Sequence, residues 1–199
     1  MATIHRLLLL LSSLLVAATL VGCSGGSTEL PPERPTGTIT GYAIDSAISG
    51  GIVSVYSFAN GTRGERLGGG TTDSTGGFVI KLTAPSQIVL VEVTGGSYIE
   101  EASGTTVPLK DGEKLRSVVY YQLEQTVSTN VTPLTHMATA LAENKITNGM
   151  AVPQAIEEAF NTIETFFDLD SRGTVSINIT TETPAPVALG EEVLYGFLM

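Results

Sequence analysis

Cysteine occurs once in 199 residues, tryptophan is absent, and there are two histidines. One cysteine excludes an intramolecular disulfide framework, and with so few Cys and His a zinc site of N/S ligands cannot be assembled. Charge is scarce, at 15% Asp, Glu, Lys and Arg, and basic charge is scarcer: 10 Lys and Arg face 20 acids, for a net charge of −10. An acidic chain of this kind is a poor partner for nucleic acid, whose binding depends on phosphate neutralisation. Long apolar runs are missing too. Residues 7–20 are uncharged, but 14 residues of helix rise about 21 Å, short of a bilayer core of about 30 Å. What the chain does have is 42% hydrophobic residues and 22 glycines, which fits a packed domain rather than a disordered polymer.

The apolar run lies at the extreme N-terminus behind Arg6, the layout of a signal peptide. It ends Leu20-Val21-Gly22-Cys23, followed by Ser24-Gly25-Gly26-Ser27. These four positions resemble the lipobox of bacterial lipoproteins. The resemblance implies a diacylglyceryl thioether on Cys23, cleavage after Gly22 with Leu20, Val21 and Gly22 read by the peptidase, and acylation of the new amino terminus. Three acyl chains anchor stably where one binds only marginally. Ser24 at the next position resembles the outer-membrane sorting pattern. The membrane is then a partner through the lipid, since an acidic body is repelled by an anionic surface.

Residues 23–35 read as a tether: Gly and Ser first, then Pro31-Pro32-Glu33-Arg34-Pro35. From residue 36 the period becomes two. Strands are expected at 36–44, 52–58, 65–72, 78–82, 87–93, 115–123 and 126–131, with one or two weak edge segments within 97–109. The run 87–93 is nearly all apolar and is expected to be central and covered on both faces. About seven strands at roughly 8–12-residue spacing argue for a small antiparallel, Ig-like sandwich over 36–131.

Helical period takes over at Thr132-Pro133, an N-cap and a first-turn proline. Leu134, Met137, Ala138, Leu141 and Ile146 are expected on one face, with Asn148-Gly149 as the stop. Pro153 opens a second helix with Ile156, Ala159, Phe160, Ile163, Phe166 and Phe167 on its apolar face, so a helical hairpin is expected within 132–199. A further strand is expected at 174–180. The end, Gly196-Phe197-Leu198-Met199, has no polar tail or cap and reads as a truncation.

Two segments, Gly37 through Tyr56 with Asp45 and Gly50-Gly51, and Thr72-Asp73-Ser74-Thr75-Gly76-Gly77-Phe78, resemble the carboxypeptidase regulatory-like domain. The resemblance covers about residues 36–95 and implies a transthyretin-like sandwich, grouped with starch-binding-like folds. In the enzymes that gave the domain its name, catalysis lies in a separate domain that has no counterpart here. Val131-Thr132-Pro133-Leu134-Thr135 resembles a recurring arrangement in bacterial lipoproteins of unassigned role.

No catalytic set emerges. His136 would have to serve alone, with no nucleophile-elbow sequence. Gly68-Gly69-Gly70 lacks the Gly-Lys of a phosphate loop, and Asp168-Leu169-Asp170-Ser171-Arg172-Gly173 puts Arg172 where a calcium loop needs oxygen. Glu100-Glu101, Glu157-Glu158 and Glu191-Glu192 are adjacent pairs that diverge. A non-enzymatic envelope module without metal or cofactor is expected, its partner an envelope protein or a polysaccharide. The alternative is a carbohydrate- or peptidoglycan-binding accessory module. Of Tyr42, Tyr56, Tyr98, Tyr120 and Tyr121, the last two are the candidate ligand-facing aromatics; on a strand they point to opposite faces, so one is expected outside.

Overall fold

A computed structural model describes residues 33–100 and 103–174. Among them the chain is mainly β, with two helices following the strands. A three-stranded sheet holds β1 (Gly37–Tyr42) between β4 (Gly77–Leu82) and β9 (Thr126–Ser128). A four-stranded sheet runs β3 (Thr62–Thr71), β2 (Ile52–Ala59), β5 (Gln87–Thr94), β8 (Lys114–Tyr121). A separate ribbon pairs β6 (Ser97–Glu100) with β7 (Thr105–Pro108).

The two larger sheets pack face to face. Ile39 and Ile80 from one meet Val53, Val55, Val89, Val91 and Val93 from the other in a single core. The alternation of each strand dictates this, because every second residue must leave water. The outer face of the four-stranded sheet is covered in turn by α1 (Pro133–Thr147) and α2 (Val152–Phe167), which bury Phe58, Leu90 and Val118 with Leu134, Ala138, Phe160 and Ile163. The body is therefore three layers, and β5 in the middle is covered on both faces.

Among the described residues nine strands are present where about seven were expected. The weak segments of 97–109 form their own ribbon, held to the sheets through the Ser49–Ser97 bridge. Nor is the pairing wholly antiparallel. After β8 the chain turns at 122–125, crosses to the other sheet and runs parallel to β1, aligning Ile39 with Val127. β3 begins earlier than expected, because Asn60 (φ 53°) and Gly61 (φ 74°) make a two-residue hairpin turn between Ala59 and Thr62.

The Asp73 turn closes as its sequence implies. Asp73 Oδ1 accepts from Thr75 N (2.8 Å), Thr75 Oγ1 (2.7 Å) and Gly77 N (2.9 Å), while Gly76 takes φ 80°. Those bonds hold the Asp73 carboxyl below its ordinary range, the Thr75 hydroxyl first. The glycine run of β3 has a packing role: a Cβ on Gly68 would strike the Leu82 side chain, and one on Gly70 would lie 2.9 Å from Ile80 Cδ1. Bare backbone there lets the edge of one sheet close over β4.

Both helices are where the sequence puts them, and of their expected apolar faces only Met137 and Phe166 are left exposed. α1 turns Thr135, Ala138, Thr139 and Ala142 inward, and Met137 is exposed. Small side chains allow close approach to β8, and the Thr135 hydroxyl, donating to Arg116 O at 3.1 Å, fixes the rotation. In α2, Phe166 is 80% exposed, since the stripe through Ile156, Phe160, Ile163 and Phe167 passes beside it. Asp168 ends α2 in the left-handed region (φ 55°), and Asp170 Oδ1 then accepts from Arg172 N and Gly173 N, a stop rather than a calcium loop. The strand expected at 174–180 lies, from residue 175, outside the described residues, as does the segment 187–199.

Tyr121 is the largest fully buried side chain; its hydroxyl donates to Leu82 O at 2.8 Å and accepts from Gly37 N at 3.0 Å. Tyr121→Phe strands both backbone groups inside the core, so urea unfolding should show a loss of about 1–3 kcal/mol with an unchanged m-value.

Candidate functional site

Tyr120 and Tyr121 do fall on opposite faces of β8, and this removes Tyr121 from the candidates. It is 0% exposed, bonded to Leu82 and Gly37, and faces no ligand. Tyr120 is 53% exposed, near the end of β8 on the face that carries Val118. Leu20, Val21, Gly22 and Cys23 lie outside the described residues.

His136 stands in a polar seam between α1 and the four-stranded sheet. His136, Thr139 and Glu143 share one face of α1 by spacing, opposite Arg116 of β8. Arg116 and Glu143 form a two-pronged ion pair, Nη1–Oε1 2.5 Å and Nη2–Oε2 3.1 Å. Glu92, directly across from Arg116 in the β5–β8 register, is buried between Arg63 Nη1 and Lys114 Nζ, each 3.1 Å away. Arg63 in turn covers the Tyr56 ring at 4.6 Å. Burial first, and the Arg116 guanidinium second, hold the His136 imidazole below its ordinary range, with Glu143 opposing. Its Nδ1, Arg116 Nε and Thr139 Oγ1 are buried without hydrogen-bond partners among the described residues. A single charge inside the apolar run 87–93 was the sequence signal for this seam, since an acid there needs cations on the same face.

The other polar candidates close structural bonds. Glu157 pairs with Arg172 (3.3 Å) and Glu158 with Lys145 (3.1 Å), so the adjacent acids diverge. Asp45 is half-buried, which raises its carboxyl, and Glu113 adds to the rise. Among the described residues no three His, Cys, Asp or Glu side chains are grouped to hold a metal, and no helix is long and apolar enough to cross a membrane.

A second surface, which the sequence does not single out, carries Tyr42. On the outer face of the three-stranded sheet a groove of ≈ 530 Å³ is lined by Thr40, Tyr42, Thr71, Asp73, Val79 and Ser128. Thr40 and Tyr42 share the outward parity of β1, and Ser128 of β9 aligns with Thr40. Tyr42 sits opposite Gly77, which has no side chain to cover the ring. Its backbone is clamped, Tyr42 N donating to Asn130 Oδ1 at 3.2 Å and Val131 N to Tyr42 O at 2.8 Å.

No family model matches this chain, and no curated protein matches it. Among solved structures, a 9R-lipoxygenase from Cyanothece PCC8801 is similar at 13% identity and a TM-score of 0.31, over 67% of this chain and 26% of that one. The chain thus spans about a quarter of the lipoxygenase, and a likeness so slight carries no argument about fold or activity.

His136 binds its proton less readily in the folded state than unfolded, so its contribution to stability is complete above the unfolded value of about 6.5 and is lost as pH falls through the folded one. Urea midpoints should drop from about pH 7.5 to about pH 5.5, and His136→Asn should shrink that drop. An equal drop in the variant would place the pH dependence elsewhere.

Proposed function

We propose that this chain is a lipid-anchored cell-envelope protein whose body is a non-enzymatic interaction or structural module of the carboxypeptidase regulatory-like, transthyretin-like kind. The anchor reading rests on Leu20-Val21-Gly22-Cys23 behind an apolar N-terminal run, with Cys23 the one thiol in the chain. Ser24 supports the outer membrane as its destination. Residues 1–22 are then the signal peptide, 23–35 the tether, 36–131 the sandwich and 132–199 the helical region. The fold reading draws on two sheets around one core and on the Asp73–Gly77 turn that returns Phe78 to that core.

The observation that carries the non-enzymatic reading is the use made of the polar side chains. Asp73 caps a turn, Arg116 and Glu143 join helix to sheet, Glu92 is enclosed by two cations, and Arg172 binds Glu157 and Glu164. Each is engaged in holding layers or loops. A second reading, a carbohydrate- or peptidoglycan-binding accessory module, is favoured by the mixed polar and apolar groove beside Tyr42.

Expressed in a Gram-negative host, the wild type should fractionate with membranes, with an intact mass lacking residues 1–22 and carrying acyl chains. Cys23→Ser should remain full-length and unlipidated. Processing of the variant like the wild type would sink the anchor assignment.

A further inference from the structure

We propose that the outer face of the three-stranded sheet binds an uncharged polysaccharide chain, with Tyr42 as the platform for a sugar ring. This deepens the second reading above by naming the surface and the ligand class. Sugar rings present apolar C–H faces ringed by hydroxyls, so a site for them combines an aromatic or aliphatic surface with hydrogen-bonding groups at its rim. The groove has that composition. Tyr42 is 39% exposed and Val79 66%, two apolar surfaces side by side on β1 and β4 in a body that buries most of its large apolar side chains. Around them stand the hydroxyls of Thr40, Thr71 and Ser128, none with a partner among the described residues.

Asp73 adds a charged acceptor at one end. Its Oδ1 is filled by three donors of its own turn, which locks the carboxylate in place and leaves Oδ2 to accept from a ligand hydroxyl. A locked acceptor loses little freedom on binding, which favours affinity. The same holds for Tyr42, whose backbone is bonded on both sides to the segment entering α1.

Charge selects against the other polymers. The chain carries −10 and Asp73 is the one ionised group lining the groove, so acidic polysaccharides and nucleic acids meet repulsion there, while Lys81, paired with Thr38 farther along the face, stands outside the groove. The volume, ≈ 530 Å³, is within the range of about 300–1,000 Å³ usual for small-ligand sites. Four residue steps from Thr38 to Tyr42 extend the face by about 13 Å, enough for more than one ring.

The test uses the full chain purified in detergent, titrated by calorimetry with chito-, cello-, malto- and manno-oligosaccharides, and with polygalacturonate as the acidic control. At least one neutral oligosaccharide should bind saturably. Tyr42→Ala and Val79→Glu, both at exposed positions, should each weaken it about tenfold or more, while Tyr120→Ala leaves it unchanged. Circular dichroism and thermal melts matching the wild type separate loss of the site from loss of the fold. Absence of binding to every neutral oligosaccharide overturns the proposal, as does binding abolished by Tyr120→Ala but not Tyr42→Ala, or a preference for polygalacturonate. None of these outcomes bears on Cys23, whose lipidation is read by mass.

Discussion

The three layers of this protein are held in register by one short buried segment, residues 129–135. Thr129 shares a hydroxyl–hydroxyl bond of 2.9 Å with Ser117 across the two sheets, at a point where both residues are essentially inaccessible. Asn130 accepts from Tyr42 N and donates to Thr174 O at 2.9 Å, tying β1 to the chain beyond α2. Val131 bridges to Ala43, and its carbonyl accepts from Ile44 N. Thr132 and Thr135 then cap α1 reciprocally, Thr135 N to Thr132 Oγ1 at 3.2 Å and Thr132 N to Thr135 Oγ1 at 2.8 Å. A buried hydroxyl or amide is costly unless bonded, so each of these bonds admits few alternative placements. Apolar contact alone would let the layers slide; these bonds do not.

The seam between helices and sheet works differently. Burying Glu92 between Arg63 and Lys114, and Arg116 against Glu143, gains less than the contact distances suggest, because desolvation offsets much of the attraction. Arg63 and Lys114 keep about half their side chains in water, so their pairing with Glu92 is further screened. What such pairs do well is choose an orientation. The Arg116–Glu143 pair, with the Thr135 hydroxyl on Arg116 O, sets which face of α1 meets β8, and Met137, expected on the apolar stripe, is left outside.

That difference marks how far the sequence could be read. Strands with clean alternation, the Asp73 turn and the Thr132-Pro133 start of α1 were legible because each depends on neighbours in sequence. The Asn60-Gly61 hairpin is equally local, but its turn is hidden between a clear strand and a glycine-rich one. The parallel placement of β9, the inward rotation of Thr135 and Thr139, and the burial of Tyr121 under Gly37 were not legible, since each is settled by a partner far along the chain. Among candidate site residues, period two correctly separates Tyr120 from Tyr121 but says nothing of which face another layer will cover.

Layer order then determines where this body can meet a partner. The central strands of the four-stranded sheet are covered on one side by its companion sheet and on the other by the helices, so most side chains of β5, Glu92 included, are committed to internal contacts. The three-stranded sheet is covered only within. Its outer face carries Thr38, Thr40 and Tyr42 from β1 with Val79 and Lys81 from β4, and the glycines of β3 let the adjoining edge close down so that Thr71 and Asp73 border the face. The glycine run Gly68-Gly69-Gly70, which lacks the Gly-Lys of a phosphate loop, is thus, in the fold, what shapes one wall of a surface groove. Tyr42 stands beside it because Asn130, in the segment that locks the layers, holds its backbone there. The stability of the core and the shape of the exposed face therefore rest on the same few hydrogen bonds.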